Sequence, residues 1–91
     1  LDITLSSGFG TTKAIAEVSR NGSNLVRVAK NGSSLGSGTG SGTFGFEQLG
    51  TTSNSISNAT IFEVVIFSSE LSTADATKVR NDIADRNSIS L

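Results

Sequence analysis

Apolar and polar residues alternate over residues 1–5, which is the pattern of a strand with one buried face. Residues 13–19 and 25–29 give two further strand candidates. An Asn-Gly pair at positions 21 and 22 separates them, and a second pair follows at positions 31 and 32. Asn-Gly is a strong hairpin signal because both positions tolerate the positive φ of a type I′ turn. The pattern therefore predicts an antiparallel meander with two similar turns.

Glycine occupies every second position from Gly36 to Gly42. A strand with this pattern has one face without side chains, which another backbone can approach closely. The stretch predicts a long hairpin connection or a glycine-rich edge strand. A phosphate-binding loop is disfavoured, because the Lys-Ser/Thr ending is missing and the stretch does not open a helix. A further strand is expected over 44–49, and a polar loop over 50–58.

Residues 60–67 are apolar on both faces of a strand, with Glu63 as the exception. A strand of this kind lies in the centre of a sheet and is covered above and below. We therefore expect 60–67 to be a central, buried strand. For Glu63 we expect a position at the strand end, or an ion pair with Arg27 or Lys13.

The chain then predicts an amphipathic helix over 72–86. Ser72 is a good N-cap residue, and Asp75 stands at the acidic position of a capping box. The helix has a narrow apolar stripe, so it should pack on the outside of a sheet. The residues of this stripe are Ala76, Val79 and Ile83. Asp82 and Arg86 are expected to form an i, i+4 pair. The residues expected in water are Lys78, Arg80, Asp82 and Asp85.

The 91-residue chain contains no Cys, His, Trp, Tyr, Met or Pro. Without His it lacks the usual neutral-pH general base and the commonest transition-metal ligand. Without Cys it has neither disulfides nor thiolate metal sites. No Glu has an acidic neighbour two positions away, so the paired carboxylates of a glycosidase strand are missing. We expect no enzyme activity, no cofactor and no metal site.

The net charge is −1, with both signs scattered along the chain. No basic patch would attract a phosphate backbone, so a nucleic-acid partner is not expected. The longest apolar run is far shorter than a membrane span, so a membrane partner is not expected either. The length fits one small domain with a modest core.

The segment from Ile61 to Ser72 is similar to the C-terminal half of the laminin-G-like, concanavalin-A-like jelly rolls. In that family a strand of the type I-x-E-V-x-[IV]-[YF]-x-x-x-L-S precedes a closing helix. The residues at those positions here are Ile61, Glu63, Val64, Ile66, Phe67, Leu71 and Ser72. Residues 26–32 resemble the family's strand ending in Asn-Gly, and the whole resemblance covers residues 24–86.

The resemblance implies a mostly β fold, an antiparallel jelly-roll-like β-sandwich with one C-terminal amphipathic helix over 72–86. Family domains are longer than this chain. Residues 1–91 are therefore expected to form a single β-sandwich-like domain or the C-terminal portion of one. A half-sandwich with unpaired sheet edges and exposed Phe62, Ile66 and Phe67 would aggregate. We thus expect an oligomer, or a chain docked on other protein subunits.

Two hypotheses for the function follow. The missing catalytic chemistry and the Ser/Thr/Gly/Asn-rich surface favour a non-enzymatic structural or interaction module of a surface assembly, such as a virion decoration, tail or fibre component. The resemblance implies instead a carbohydrate-binding, lectin-like module with glycan partners. Both place the protein outside the cell or on a virion surface. Candidate ligand or partner contacts lie in the polar loops: Asn21, Ser23, Asn31, Ser37, Thr39, Ser41, Asn54 and Asn58.

Overall fold

The computed structural model describes residues 3–42 and 60–91. They form three strands and one helix: β1 Ala16–Arg20, β2 Leu25–Lys30, β3 Ser33–Thr39 and α1 Thr73–Asn87. The sheet order is β1-β2-β3, and both neighbouring pairs are antiparallel. The described chain is thus a small mixed fold of one antiparallel meander and one C-terminal helix. The predicted meander is confirmed, and the strand over 44–49 and the loop over 50–58 lie outside the described residues.

The turn between β2 and β3 is the predicted type I′ turn. Asn31 has a φ of 50° and Gly32 a φ of 90°, so both central residues are left-handed. Asn31 also fixes the chain that leads into β1. Its Oδ1 accepts a hydrogen bond from the Ile15 amide at 2.8 Å, and its own amide donates to the Ile15 carbonyl at 2.9 Å.

The loop between β1 and β2 has a different geometry, so the prediction of two similar turns is wrong. Here the left-handed residue is Asn24, with a φ of 63°, and Gly22 does not have a positive φ. Asn21 Oδ1 accepts from the amides of Ser23 at 2.9 Å and Leu25 at 3.0 Å. The Asn21 side chain thereby closes the four-residue loop over 21–24, which ends in an αL residue.

The glycine-rich stretch begins as β3, an outer strand of the described sheet, which confirms the edge-strand alternative. A Cβ placed on Gly36 would lie 2.7 Å from the backbone oxygen of Thr4 and 3.0 Å from Ile3 Cγ2. The amide of Ser6 donates to the carbonyl of Leu35 at 2.8 Å. The N-terminal segment therefore crosses β3 where that strand has no side chain. Ile3 and Leu5 are half-buried and Thr4 is exposed, as alternation predicts, but residues 3–5 form no strand.

Because the N-terminal segment lies so close to Gly36, a side chain at this position should destabilise the fold. Gly36→Ala is expected to lower the free energy of unfolding by about 1–3 kcal/mol, because the new methyl group would displace the N-terminal segment. A Gly→Ala substitution at a position with free space and a compatible backbone conformation would instead be neutral or stabilising. Urea unfolding measures the change, with Gly22→Ala as the control, since a Cβ at Gly22 meets nothing within 4 Å. A Gly36→Ala chain at least as stable as the original would contradict the packing described here.

The core of the described chain is small. Four apolar side chains are buried: Ile15, Val26, Leu35 and Ala84. Val26 lies on the central strand, Leu35 on β3 and Ile15 just before β1, whereas Ala84 belongs to α1.

Helix α1 confirms the predicted helix over 72–86 to within one residue at each end. Ser72 is the N-cap, and its Oγ accepts a hydrogen bond from the Asp75 amide at 3.1 Å. At the other end Ser88 adopts the left-handed conformation with a φ of 56°. The amides of Ser88 and Ile89 both donate to the carbonyl of Ala84, which satisfies one of the last open acceptors of the helix.

Residues 60–67 are not the buried central strand that the pattern predicts. They belong to no helix or strand, and Phe62 and Ile66 remain 60% and 66% exposed. A strand that is apolar on both faces is buried only where layers cover both sides. In residues 3–42 and 60–91 one three-stranded sheet and one helix do not provide two such layers.

Candidate interaction surface

Residues 61–67, here called the apolar segment, hold most of the exposed apolar surface that the structure describes. Six of the eight large apolar side chains exposed there belong to it: Ile61, Phe62, Val64, Val65, Ile66 and Phe67. The backbone passes through 60–67 without a helix, turn or bend, and the first bend comes at Ser68 and Ser69. Contiguous apolar exposure of this kind is typical of surfaces that bind other proteins.

Glu63 ties the apolar segment to the C-terminal end of α1. Its carboxylate accepts hydrogen bonds from Arg86 Nη2 at 2.6 Å and Arg86 Nε at 3.3 Å, and from Asn87 Nδ2 at 2.8 Å. The predicted partners of Glu63, Arg27 and Lys13, are therefore wrong.

The predicted pair of Asp82 with Arg86 is present only as an electrostatic attraction, since the hydrogen-bonded partner of Arg86 is Glu63. An exposed i, i+4 pair on a helix contributes only a few tenths of a kcal/mol. A bidentate contact between a guanidinium and one carboxylate has a better defined geometry than such a helix-surface pair. Asp82 still adds an electrostatic attraction that helps to raise the pKa of Arg86.

The hydrogen bonds from Arg86, and then that from Asn87, lower the pKa of Glu63 below its ordinary value of 4.5. The same contact with Glu63 raises the pKa of Arg86. Both groups are therefore charged, and paired with each other, at neutral pH. The single charge within the apolar segment is balanced by the chain's own helix, so the segment presents apolar side chains without an uncompensated charge.

This pairing makes the free energy of unfolding depend on pH. A carboxyl whose pKa is lower in the folded state stabilises the fold above its unfolded pKa, and the contribution is lost as the pH falls through the folded value. We expect Glu63→Gln to lose this contribution at pH 7 and to show a shallower loss of stability between about pH 5 and pH 3 than the original chain. Glu70→Gln removes another exposed carboxylate as the control. Superimposable pH profiles for Glu63→Gln and the original chain would contradict the pairing.

Lys13 holds the same end of the segment from the N-terminal side. Its Nζ donates to the carbonyl of Asn87 at 2.9 Å and lies 4.2 Å from the centre of the Phe62 ring. A cation is favourable both over an aromatic face and at the negative end of the helix dipole. Five residues thus meet at one point and form what we call the anchor cluster: Lys13, Phe62, Glu63, Arg86 and Asn87.

A second contact joins the helix to the sheet. The guanidinium of Arg80 binds the carboxylate of Glu17 on β1 in two places, at 2.5 Å and 3.0 Å, which raises the pKa of Arg80. A Cβ on Gly32 would lie 3.1 Å from three guanidinium atoms, so Arg80 also covers the β2–β3 turn. The prediction that Arg80 points into water is therefore wrong. Lys78, Asp82 and Asp85 are exposed as predicted.

The predicted contact residues do not converge on one site. Asn21, Ser23, Thr39 and Ser41 lie near one end of the sheet, where the Gly40 amide donates to the Asn24 carbonyl at 3.0 Å. Asn31 lies at the opposite end, Ser37 lies within β3, and Asn54 and Asn58 lie outside the described residues. The side-chain oxygens of Asn21 and Asn31 already accept backbone hydrogen bonds.

Sequence reasoning named Phe62, Ile66 and Phe67 as side chains whose exposure would require a partner, but it predicted the segment as a buried central strand, and it missed the anchor cluster. The signal for the segment was present in its two apolar faces, which indicate that something must cover them without saying what. No local signal marked the anchor cluster, since Glu63 and Arg86 are 23 residues apart.

Within residues 3–42 and 60–91, no group of three or more His, Cys, Asp or Glu side chains is arranged to hold a metal ion. No helix in the same residues is long and apolar enough to cross a bilayer. Compared with known proteins, the chain matches no family model, no curated protein and no solved structure. The laminin-G-like resemblance therefore stays a prediction.

Proposed function

We propose that this protein is a non-enzymatic interaction module that binds another protein subunit through its apolar segment. The observation that carries the proposal is the exposure of six large apolar side chains within seven consecutive residues. Removing apolar surface from water contributes roughly 25 cal/mol per Å². A partner that covered these side chains would therefore gain most of its binding energy there.

The anchor cluster supports the same proposal, because it fixes one end of the segment before any partner arrives. Phe62 and Glu63 are held by the end of α1 and by Lys13, so the start of the segment is already in place when a partner binds. Fixing a binding segment in advance reduces the entropy lost on association. The internal pairing of Glu63 with Arg86 also removes the cost of burying an unpaired charge against a partner.

The wider setting that we propose is a surface assembly, such as a virion decoration, tail or fibre component, outside the cell or on a virion. The Ser/Thr/Gly/Asn-rich composition supports this setting. In such an assembly, strands from neighbouring subunits would complete a jelly-roll-like β-sandwich around the described sheet. Carbohydrate binding stays a prediction from the family resemblance. No observation favours it specifically, since the Asn21 and Asn31 oxygens serve the turns.

The proposal is tested on native material by mass spectrometry coupled to size-exclusion light scattering. The chain is expected to elute with other protein subunits, at a mass well above that of one chain. Ile66→Arg is expected to release it from them, and Val18→Arg, an equally large change at an exposed position on β1, is expected to leave it bound. Native material that elutes as a single free chain would contradict the proposal.

A further inference from the structure

We infer that the apolar segment pairs with the same segment of a second copy of this chain, as two antiparallel strands related by a two-fold axis at Val64. The inference depends on the proposed function, since it names the partner that the segment binds. Symmetric dimers are the commonest protein assemblies, and their interfaces must be complementary to themselves. The apolar segment meets that requirement at its apolar positions other than Val65.

With the axis at Val64, Phe62 lies opposite Ile66 of the second copy, and Ile61 lies opposite Phe67. Symmetry repeats both pairs, so four aromatic–β-branched pairs flank a central valine pair. Aromatic and β-branched residues directly opposite each other are among the favourable cross-strand pairs in antiparallel sheets. Read in either direction from Val64, the segment thus places an aromatic residue opposite a β-branched one at these two positions.

The charge at Glu63 selects both the direction and the register. In the proposed arrangement Glu63 lies opposite Val65 of the second copy. A parallel, in-register pairing would set the two Glu63 carboxylates side by side, as would an antiparallel pairing with its axis at Glu63, and like charges in opposite positions are destabilising. Moving the axis to Val65 would set Phe62 against Ser68 and lose an apolar pair.

The backbone of the segment is suited to strand pairing. It runs through 60–67 without a helix, turn or bend. Between the residues that the structure describes, no backbone hydrogen bond reaches 60–67. Adding a strand satisfies such backbone groups and gives affinity through main-chain hydrogen bonds.

The anchor cluster holds the start of the segment, and the antiparallel arrangement uses this asymmetry. Phe62 and Glu63, which the cluster holds in one copy, lie opposite Ile66 and Val65 of the other copy, which are outside the cluster. Each copy therefore presents a fixed surface to the part of the other copy that its own cluster does not hold. A parallel, in-register arrangement would place the two held ends together and leave residues 65 and 66 of both copies without such a surface.

Disulfide trapping tests the register without background, because the chain has no cysteine. Directly opposite residues in an antiparallel pair have Cα atoms about 4.5–5.5 Å apart, within the range of about 4.4–6.8 Å that a disulfide spans. Val64→Cys is therefore expected to give mainly a covalent dimer under oxidised glutathione. In Ile61→Cys the two sulfurs are about 20 Å apart along the strands, so this matched control is expected to stay unlinked.

A mixture of Ile61→Cys and Phe67→Cys chains provides a second measurement if Val64→Cys does not fold, and it is expected to give a disulfide-linked hetero-pair. Equal linking of all variants, or of none, overturns the inference. If no variant links while native material still elutes with other subunits, the partner is a different protein and the proposed function stands. If native material is also a single free chain, both proposals fail.

Discussion

Replacing Ile66 with arginine is expected to weaken self-association on the order of 1,000-fold. Ile66 is 66% exposed in the single chain, so the substitution should leave the fold almost unchanged. In the pair it lies opposite Phe62, whose ring already carries the Lys13 ammonium at 4.2 Å. Arginine would lose the apolar cross-strand contact and would bring a second positive charge to the same ring. A central interface residue typically contributes about 2 kcal/mol, and the two-fold axis counts the change twice, which gives about 4 kcal/mol. Sedimentation equilibrium over a range of concentrations measures the dissociation constant.

Val18→Arg is the matched control for this experiment. Val18 is 58% exposed on β1, and the change introduces the same charge at a similar exposed position outside the apolar segment. We expect this variant to keep the dissociation constant of the original chain. An Ile66→Arg chain that associates as well as the original, or a Val18→Arg chain that is weakened to the same degree, would rule out the segment as the interface.

Shortening Leu35 to alanine is expected to cost about 2–4 kcal/mol in the free energy of unfolding. Leu35 is 9% exposed and is one of the four buried apolar side chains in the described residues. Its backbone carbonyl also accepts the hydrogen bond from the Ser6 amide, which joins β3 to the N-terminal segment. Small domains are stable by only about 5–15 kcal/mol in total, so the loss would be a large part of what the chain has.

Urea unfolding measures this loss. It is followed by far-ultraviolet circular dichroism, because the chain has no tryptophan to give a fluorescence signal. The midpoint is expected to fall with little change in the slope. Val18→Ala shortens an apolar side chain on the same sheet at an exposed position and is expected to change the free energy by about 0.5 kcal/mol or less. Equal effects of the two substitutions would mean that Leu35 does not belong to the core.

The features that sequence reasoning predicted correctly are those whose hydrogen bonds stay local. The N-cap at Ser72 needs only an amide three residues away, and the β2–β3 turn needs only two residues that accept positive φ. The edge strand could be predicted because alternate glycines remove side chains from one face. Even among these features, the first Asn-Gly pair formed another loop, because the Asn21 side chain bonds amides further along the chain.

The features that could not be predicted join distant parts of the chain. Arg80 and Glu17 are 63 residues apart, and Glu63 and Arg86 are 23 apart. For each of these charged residues the sequence offers several possible partners of opposite charge, and the sequence pattern does not choose between them. Only the path of the backbone, which brings α1 over the β2–β3 turn, decides which carboxylate each arginine reaches.

The apolar segment shows a further limit of pattern analysis. Two apolar faces predict that a segment is covered on both sides, and this holds equally for a central strand and for an interface strand. The laminin-G-like resemblance predicts a cover from the same domain, whereas the described residues leave the segment exposed. The pairing proposed here supplies cross-strand neighbours from a second copy, which cover part of each side chain. In both views the same six side chains carry the stabilisation.

Hydrogen–deuterium exchange over residues 61–67, compared between dilute and concentrated protein, tests most directly whether the apolar segment is the interface. Strand pairing would protect its amides in proportion to the fraction of associated chain, and the amides of α1 would serve as the internal reference. We expect the protection of 61–67 to rise with protein concentration while that of α1 stays constant. Exchange at 61–67 that is fast at every concentration would contradict the account.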